Sequence, residues 1–360
     1  MSVGSVYDMK RVGILTFHSV RNFGAVIQAW STPQIIRSMG AAPEVIDYRP
    51  SGHHVKSRRS GLRRYVPSIG GIRSDLFVKR ALPLSPRVFT THAEVDHYVR
   101  QENFDVLLTG SDQVWYSNDF LGFDRAYFLD VGDPRVNARI SYAPSAGPMS
   151  ELGPDQVQGE RILSTYKAVS VRDANTLSLA NSVGRDDAVV VVDPTILADL
   201  RPLVGKRPLQ ADYMLITGPM NADAYALLGE IARREGLKVI EIGRSCSFAD
   251  KSHPFVNPRE WVNHIAHASL VASSLFHGCA IAISLRRPFL ALDTAGRGFK
   301  LVDMLTRLGM EDRFVPSDPD RLEVNALPAD LTSFNYERVN STLECAREVS
   351  FEFLRSAINA

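Results

Sequence analysis

The sequence predicts an α/β protein built as two Rossmann-like domains facing a cleft, and three observations carry that expectation. Short apolar runs alternate with longer segments of helical spacing, the pattern of parallel strands joined by crossover helices. The runs end in polar residues, as strands do when they deliver side chains to a ligand crevice at their carboxyl ends. The alternation halts over 202–211, which contains Pro202 and Pro208, and then starts again. One domain is therefore expected over residues 1–201 and a second over 212–330. Residues 331–360 are expected to form a C-terminal helix that packs back on the first domain. A length of 360 residues suits two such units.

The first series opens with VGILTF at 12–17, a buried parallel strand, followed by a polar loop over 18–24. Residues 25–39 have helical spacing through Val26, Ile27, Trp30, Ile35 and Ile36; Pro33 is expected to bend or break this helix, and Gly40 suits its end. EVIDY at 44–48 is the second strand. Residues 51–91 break the pattern. Strands follow at 104–109, 139–143, 168–171 and 188–192. The second series reads strand 213–217, helix 222–235, strand 238–242, helix 259–267, strand 270–272, turn 274–277, helix 278–285 and strand 289–292. From 331 the pattern is helical to the end.

Composition narrows the function classes. Hydrophobic residues make up 45% and charged residues 22%, which excludes disordered and low-complexity scaffolds. Lys and Arg number 41 against 40 Asp and Glu, a net charge of +1 that argues against a dedicated nucleic-acid binder. Cys246, Cys279 and Cys345 are far apart and form no CxxC pair, which argues against a disulfide framework or structural zinc and points to the cytoplasm. Asp8, Lys10 and Arg11 precede the first strand, unlike a secretory leader. Residues 261–285 lack Lys, Arg, Asp and Glu but hold three histidines and several serines, so a buried stretch of soluble core is expected rather than a membrane span.

Several motifs carry candidate chemistry. An apolar strand runs into Gly110-Ser111-Asp112-Gln113-Val114-Trp115, where Asp112 and Gln113 can hydrogen-bond sugar hydroxyls and Trp115 can stack on a sugar face; an equally simple role for Ser111 or Asp112 is a helix N-cap. Asn22, Gly24 and Gln28 border the first strand-to-helix loop, where a doubly wound fold approaches its ligand. His277 stands in SLFHG at 274–278, where a strand meets a helix; its imidazole suits general acid work, and the competing role is a capping or core histidine. Arg172, Arg297 and Lys300 follow strands; each alone suits a solvated surface, and together they suit a phosphate and a carboxylate. His264 and His267, three apart, have no companion ligands in the sequence and are expected to pack or face solvent. No GxGxxG, Walker A or GxSxG sequence occurs, which argues against dinucleotide, P-loop and α/β-hydrolase chemistry.

Taken in order, these stations resemble the polysaccharide pyruvyl transferase family. The resemblance rests on GILTFH at 13–18, NFGA at 22–25 with Gln28-Ala29, VIDYRP at 45–50, Phe104-Asp105, GSDQVW at 110–115, ISYA at 140–143, SVRD at 170–173, VDPT at 192–195, SLFHG at 274–278 and RRPF at 286–289. GSDQVW and FHG are its specific parts. One common form of the family pattern has an acidic residue shortly before FHG; here that stretch is Ala272-Ser273-Ser274. The resemblance implies a fold similar to the GT-B glycosyltransferases, phosphoenolpyruvate as donor and co-substrate, and a saccharide diol, free or lipid-linked, as acceptor. The product is then a pyruvate ketal in exopolysaccharide or cell-surface glycan synthesis. His277 and Arg172 are the implied catalytic residues, with His277 the general acid. Arg297, Lys300, Ser274 and Gly278 are expected on the donor, and Asn22, Gly24, Gln28, Ser111, Asp112, Gln113 and Trp115 on the acceptor. No metal and no cofactor are expected. The alternatives are a nucleotide-sugar glycosyltransferase and a non-catalytic saccharide-binding subunit.

The near-neutral total conceals one basic segment. Residues 51–90 hold Lys56, Arg58, Arg59, Arg63, Arg64, Arg73, Lys79, Arg80 and Arg87 against Asp75 alone, a local charge of +8 that leaves −7 for the rest. Leu62, Tyr65, Val66, Ile69, Leu76, Phe77 and Val78 are interleaved. The segment is either a solvated insertion or an edge of the cleft that meets an anionic acceptor or the inner membrane leaflet.

Overall fold

The computed structural model describes residues 9–50, 69–117, 122–293, 298–317 and 331–360. Two six-stranded sheets, parallel throughout, form its frame. The first contains β1 (Arg11–Leu15), β2 (Ala42–Val45), β3 (Val106–Thr109), β4 (Ala138–Ser141), β5 (Ala168–Val171) and β6 (Val189–Val190), in the order β2-β1-β3-β4-β5-β6. The second contains β7 (Tyr213–Thr217), β8 (Lys238–Ile242), β9 (Lys251–His253), β10 (Leu270–Ser273), β11 (Phe289–Leu292) and β12 (Phe314–Val315), in the order β12-β11-β10-β7-β8-β9. Strand order reverses between β1 and β3 in one sheet and between β7 and β10 in the other. The crevice beyond the carboxyl ends at such a reversal is where open α/β sheets take their ligands.

The connecting helices are α1 (Phe23–Ser38), α2 (Ile69–Ala81), α3 (His92–Gln101), α4 (Gln156–Leu163), α5 (Ala174–Ser182), α6 (Pro194–Leu197), α7 (Ala222–Arg234), α8 (Pro258–His267), α9 (Phe276–Ser284), α10 (Phe299–Leu308) and α11 (Asn340–Asn359). A 3-10 turn at Arg201–Leu203 leads from the first sheet toward β7. The fully buried Leu15, Leu107, Trp115, Phe128 and Val171 fill one core, and Met214, Ile216, Leu228, Leu270 and Leu290 another. A third cluster spans the seam, where Val26 and Ile27 of α1 meet Trp261 of α8, Ile281 of α9 and Leu354 of α11. Helix α11 returns to the first half: Val192 N donates to Ser350 Oγ at 2.9 Å, and Arg347 Nε donates to the Ile196 carbonyl at 2.9 Å.

Helix α1 corrects one expectation. It runs through Pro33 without a break, and every residue from Gly24 to Pro33 is buried. A helix enclosed on all sides is held by its neighbours, and that packing outweighs the hydrogen bond lost at proline. The expected turn at 274–277 is also shorter, because α9 already begins at Phe276. No helix among the described residues is long and apolar enough to cross a membrane.

Candidate functional site

The carboxyl ends of the two sheets meet at one buried carboxylate. Asp193, just past β6, is the N-cap of α6, with Pro194 fixing the first helical position. Its Oδ1 accepts from Thr195 N at 2.9 Å and Thr195 Oγ1 at 2.7 Å. Its Oδ2 accepts from Ser111 Oγ and from Arg172 Nη1, both at 3.0 Å. The same oxygen lies 3.4 Å from His277 Nε2. One carboxylate thus ties together β3, β5 and the first half's seam with α9 of the second half.

The charges are mutually set. Burial pushes Asp193 up, but His277 and then Arg172 outweigh it and hold the carboxyl far below the usual range. Burial lowers Arg172, and Asp193, Asp112 and Asp173 more than restore it, leaving its pKa raised. The Arg172 guanidinium also lies 4.3 Å over the Phe276 ring, next to His277. Lys300, in the first turn of α10, is pushed down to about 8 by burial and by Arg172, against the pull of Asp112 and Asp173. Arg172 Nε, Asp173 Oδ2, Ser274 Oγ and His277 Nε2 are buried without a hydrogen-bond partner among the described residues. Unmet groups of this kind are rare in native interiors, and those of Arg172 and His277 share the neighbourhood of Asp193, where a polar ligand would satisfy them.

His277 is 5% exposed and sits against the start of α1. A Cβ on Gly24 would fall 2.4 Å from His277 Nδ1, so only glycine leaves room for the ring. Nε2 faces Asp193 and Nδ1 faces Gly24. Beside this contact, the β1–α1 loop, Arg49 and α2 enclose a cavity of about 370 Å³ lined by Ser19, Arg21, Phe23, Arg49, Ser74 and Asp75. Arg49 is fixed there by a two-pronged bond to Asp47, which also bonds buried His18 at 2.9 Å.

The structure brings Arg172, His277, Ser111, Asp112 and Lys300 into one neighbourhood. Asp112, with a left-handed φ of 70°, acts electrostatically on Arg172 and Lys300, so it stands with the cations assigned to the donor. Gln113 is half-buried. Trp115 corrects the expectation of sugar stacking: it is fully buried, stacked on Phe128 at 5.4 Å and edge-on to Tyr166. Gln28 is internal as well, donating to Thr16 Oγ1 at 2.9 Å and the Phe17 carbonyl at 3.0 Å, and accepting from Ser111 N at 3.3 Å. Asn22 caps α1 through Gly24 N and Ala25 N. These contacts give Gln28 the task of fixing the loop rather than facing an acceptor, whereas Asn22 combines its cap with an exposed position. Gly278 has a packing task too, since a Cβ there would lie 2.1 Å from Ser273 Oγ where α9 crosses β10. Arg297 and residues 51–68 of the basic segment lie outside the described residues.

Asp193 and Asp173 are the site groups that sequence reasoning assigned no role. Their signal was present: each is a carboxylate within three residues past a strand. The capping signature of Asp-Pro-Thr accounts for Asp193 locally and hides its second task. His264 is packed, pushed down to about 4 by burial and then by His253, and His267 Nδ1 bonds the Asn263 carbonyl at 2.9 Å. No group of three or more metal-ligating side chains forms among the described residues.

Solved structures place the fold. The UDP-GlcNAc 2-epimerase of Methanocaldococcus jannaschii superposes with a TM-score of 0.53 at 11% identity, over 95% of this chain and 100% of that one. A putative UDP-N-acetylglucosamine 2-epimerase from Listeria monocytogenes gives 0.56 at 11% identity, over 98% and 94%. S. aureus MnaA bound to UDP gives 0.52 at 11% identity, over 93% and 91%. At such identity the likeness concerns architecture alone, two Rossmann-like domains of GT-B type. No curated protein sequence matches the chain. A family model for polysaccharide pyruvyl transferase matches residues 22–296, from the Asn22 cap through Asp193 and His277, and the chain belongs to that family.

Proposed function

We propose that the protein transfers the pyruvyl group of phosphoenolpyruvate to a saccharide diol, forming a pyruvate ketal for a cell-surface or exported glycan. The observation that carries this reading is the grouping of Arg172 and His277 on Asp193, with Lys300 near Arg172, in a chain of this family. Phosphoenolpyruvate presents a carboxylate and a phosphate, which suit one guanidinium and one ammonium in a low-dielectric site. Arg172 and Lys300 hold them and stabilise the leaving phosphate. His277, with Asp193 behind it to stabilise the imidazolium, gives a proton to the terminal carbon. One acceptor hydroxyl bonds to the central carbon, the bond from that carbon to phosphate oxygen breaks, and the second hydroxyl closes the ring. Of the two hydroxyl protons, one ends in the new methyl group and one on phosphate.

Phosphate release from phosphoenolpyruvate with a panel of saccharide acceptors tests the reading, run beside UDP and GDP release from sugar nucleotides. Nucleotide release with no phosphate release would replace it with glycosyl transfer. If neither occurs, and phosphoenolpyruvate fails to raise Tm, the site is non-catalytic. His277→Ala is expected to abolish turnover in a folded chain. Protonation activates the enol in this scheme, so turnover is proposed to be independent of metal. Activity lost to a chelator and restored by a divalent ion would overturn that step.

A further inference from the structure

Helix α2 carries an outward face that the transfer reaction does not use. Ile69, Ile72 and Leu76 are 59%, 53% and 44% exposed. At 100° per residue they fall within about 60° of one another. Lys79 and Arg80, both exposed, flank this stripe in the last turn. The opposite face is anchored by buried Ser74 and Val78. Gly70 packs on the backbone of Phe255, and the Phe255 side chain is itself 48% exposed. Arg73 secures this junction by donating to the Phe255 carbonyl at 2.8 Å and pairing with Glu260. Three exposed large apolar side chains therefore form a stripe along one face of α2 with basic side chains at its rim. An apolar stripe with a basic rim is the chemistry of an interfacial membrane surface.

We infer that this face of α2 docks the protein on an anionic lipid bilayer. Three features favour lipid over a second copy of the chain. Residues 51–90 carry a charge of +8 while the remainder carries −7, so the patch lies in the part of the chain that an anionic surface attracts. The exposed apolar side chains are Ile and Leu on a helix that lies along the surface, the type that inserts shallowly below headgroups. The inner flank of the same helix supplies Gly70, Gly71, Ser74 and Asp75 to the cavity beside Phe23 and Gly24. A docked α2 would thus place the entrance to the reaction site next to the bilayer, where a saccharide on a lipid carrier would be held.

The test is co-sedimentation of the full chain with vesicles of phosphatidylcholine alone or with ~30% phosphatidylglycerol to give an anionic surface. Binding is expected only to the anionic vesicles and is expected to weaken with salt. Ile72→Glu/Leu76→Glu should reduce the partition at least about tenfold, and Lys79→Glu/Arg80→Glu about as much, since each basic group near an anionic leaflet contributes roughly fivefold. These side chains face away from the reaction site, so phosphate release with a water-soluble acceptor should be unchanged. Equal binding by wild type and both variants, or no binding by wild type, overturns the inference. So does a concentration-dependent dimer that Ile72→Glu/Leu76→Glu dissolves. The vesicle assay uses neither phosphoenolpyruvate nor acceptor, so its failure and a failure of the transfer reading are separate results.

Discussion

The Asp193 carboxylate of the first half lies 3.4 Å from His277 Nε2 of the second, and the same oxygen holds Arg172. Replacing Asp193 by Asn keeps the shape and removes the charge. Arg172 would then be buried without its counter-ion, which costs about 3–5 kcal/mol of stability. His277 would lose the group that stabilises its charged form, so turnover should fall about 100-fold or more. Phosphate release and denaturant unfolding on the same preparation check both; wild-type turnover in Asp193→Asn would remove Asp193 from the working site.

The acid limb of stability follows from the same residue. Its folded pKa lies below the unfolded value of about 3.9, so its contribution is complete above that value and is lost as pH falls. Wild type should therefore lose stability more steeply than Asp193→Asn below pH about 4. Parallel acid limbs in urea titrations of the two proteins would contradict the assigned shift.

Lys300 sets an alkaline limit. Burial and Arg172 push it down to about 8 in the free protein, so the ammonium that the donor needs is lost as pH rises through that value. The plot of kcat/KM for phosphoenolpyruvate should fall about tenfold per pH unit above it. Lys300→Arg keeps its charge and should move this limb upward, at some cost in fit. An unshifted limb would assign the titration to another group. The slope has the same sign as for Asp193, because each unfolded group binds its proton more tightly, but the contribution is opposite: the lysine's is unfavourable at neutral pH and is relieved as pH rises from about 8.

Gly24 and His277 should behave as one unit. Gly24→Ala puts a methyl into the His277 ring, and overpacking of this kind costs about 1–3 kcal/mol. His277→Gly removes both the ring and the Cβ, each of which lies within 2.5 Å of that methyl. The double variant should then be no less stable than His277→Gly alone, a coupling of about 1–3 kcal/mol. Additive losses would mean that the contact is absent in solution.

Much of this arrangement is legible in the sequence because local and tertiary preferences agree there. The strands at 168–171, 213–217, 238–242 and 289–292 coincide with their apolar runs, each flanked by a polar break and buried on both faces. Helix α10 was equally legible through Leu301, Met304, Leu305 and Leu308, yet sequence reasoning passed over it and left Lys300 without an element. Pro33 misleads because enclosure of α1 cannot be seen from its own residues. Trp115 misleads because a motif reports which residue follows a strand and not which way its ring turns.

Trp115 supplies the sharpest check on that last point. Its ring is sealed between Phe128 and Tyr166, with no exposed surface for a sugar. Trp115→Phe leaves part of that volume empty and should lower stability by about 1–3 kcal/mol. Because the residue meets no acceptor, KM for the acceptor should stay within about twofold of wild type, and kcat should follow the folded fraction. A stacking platform gives the opposite pattern: stability nearly kept, and acceptor KM raised about tenfold with the loss of ring area. Measuring KM for acceptor in Trp115→Phe at a temperature where the variant is fully folded separates the two, and a raised KM there would return Trp115 to the acceptor site.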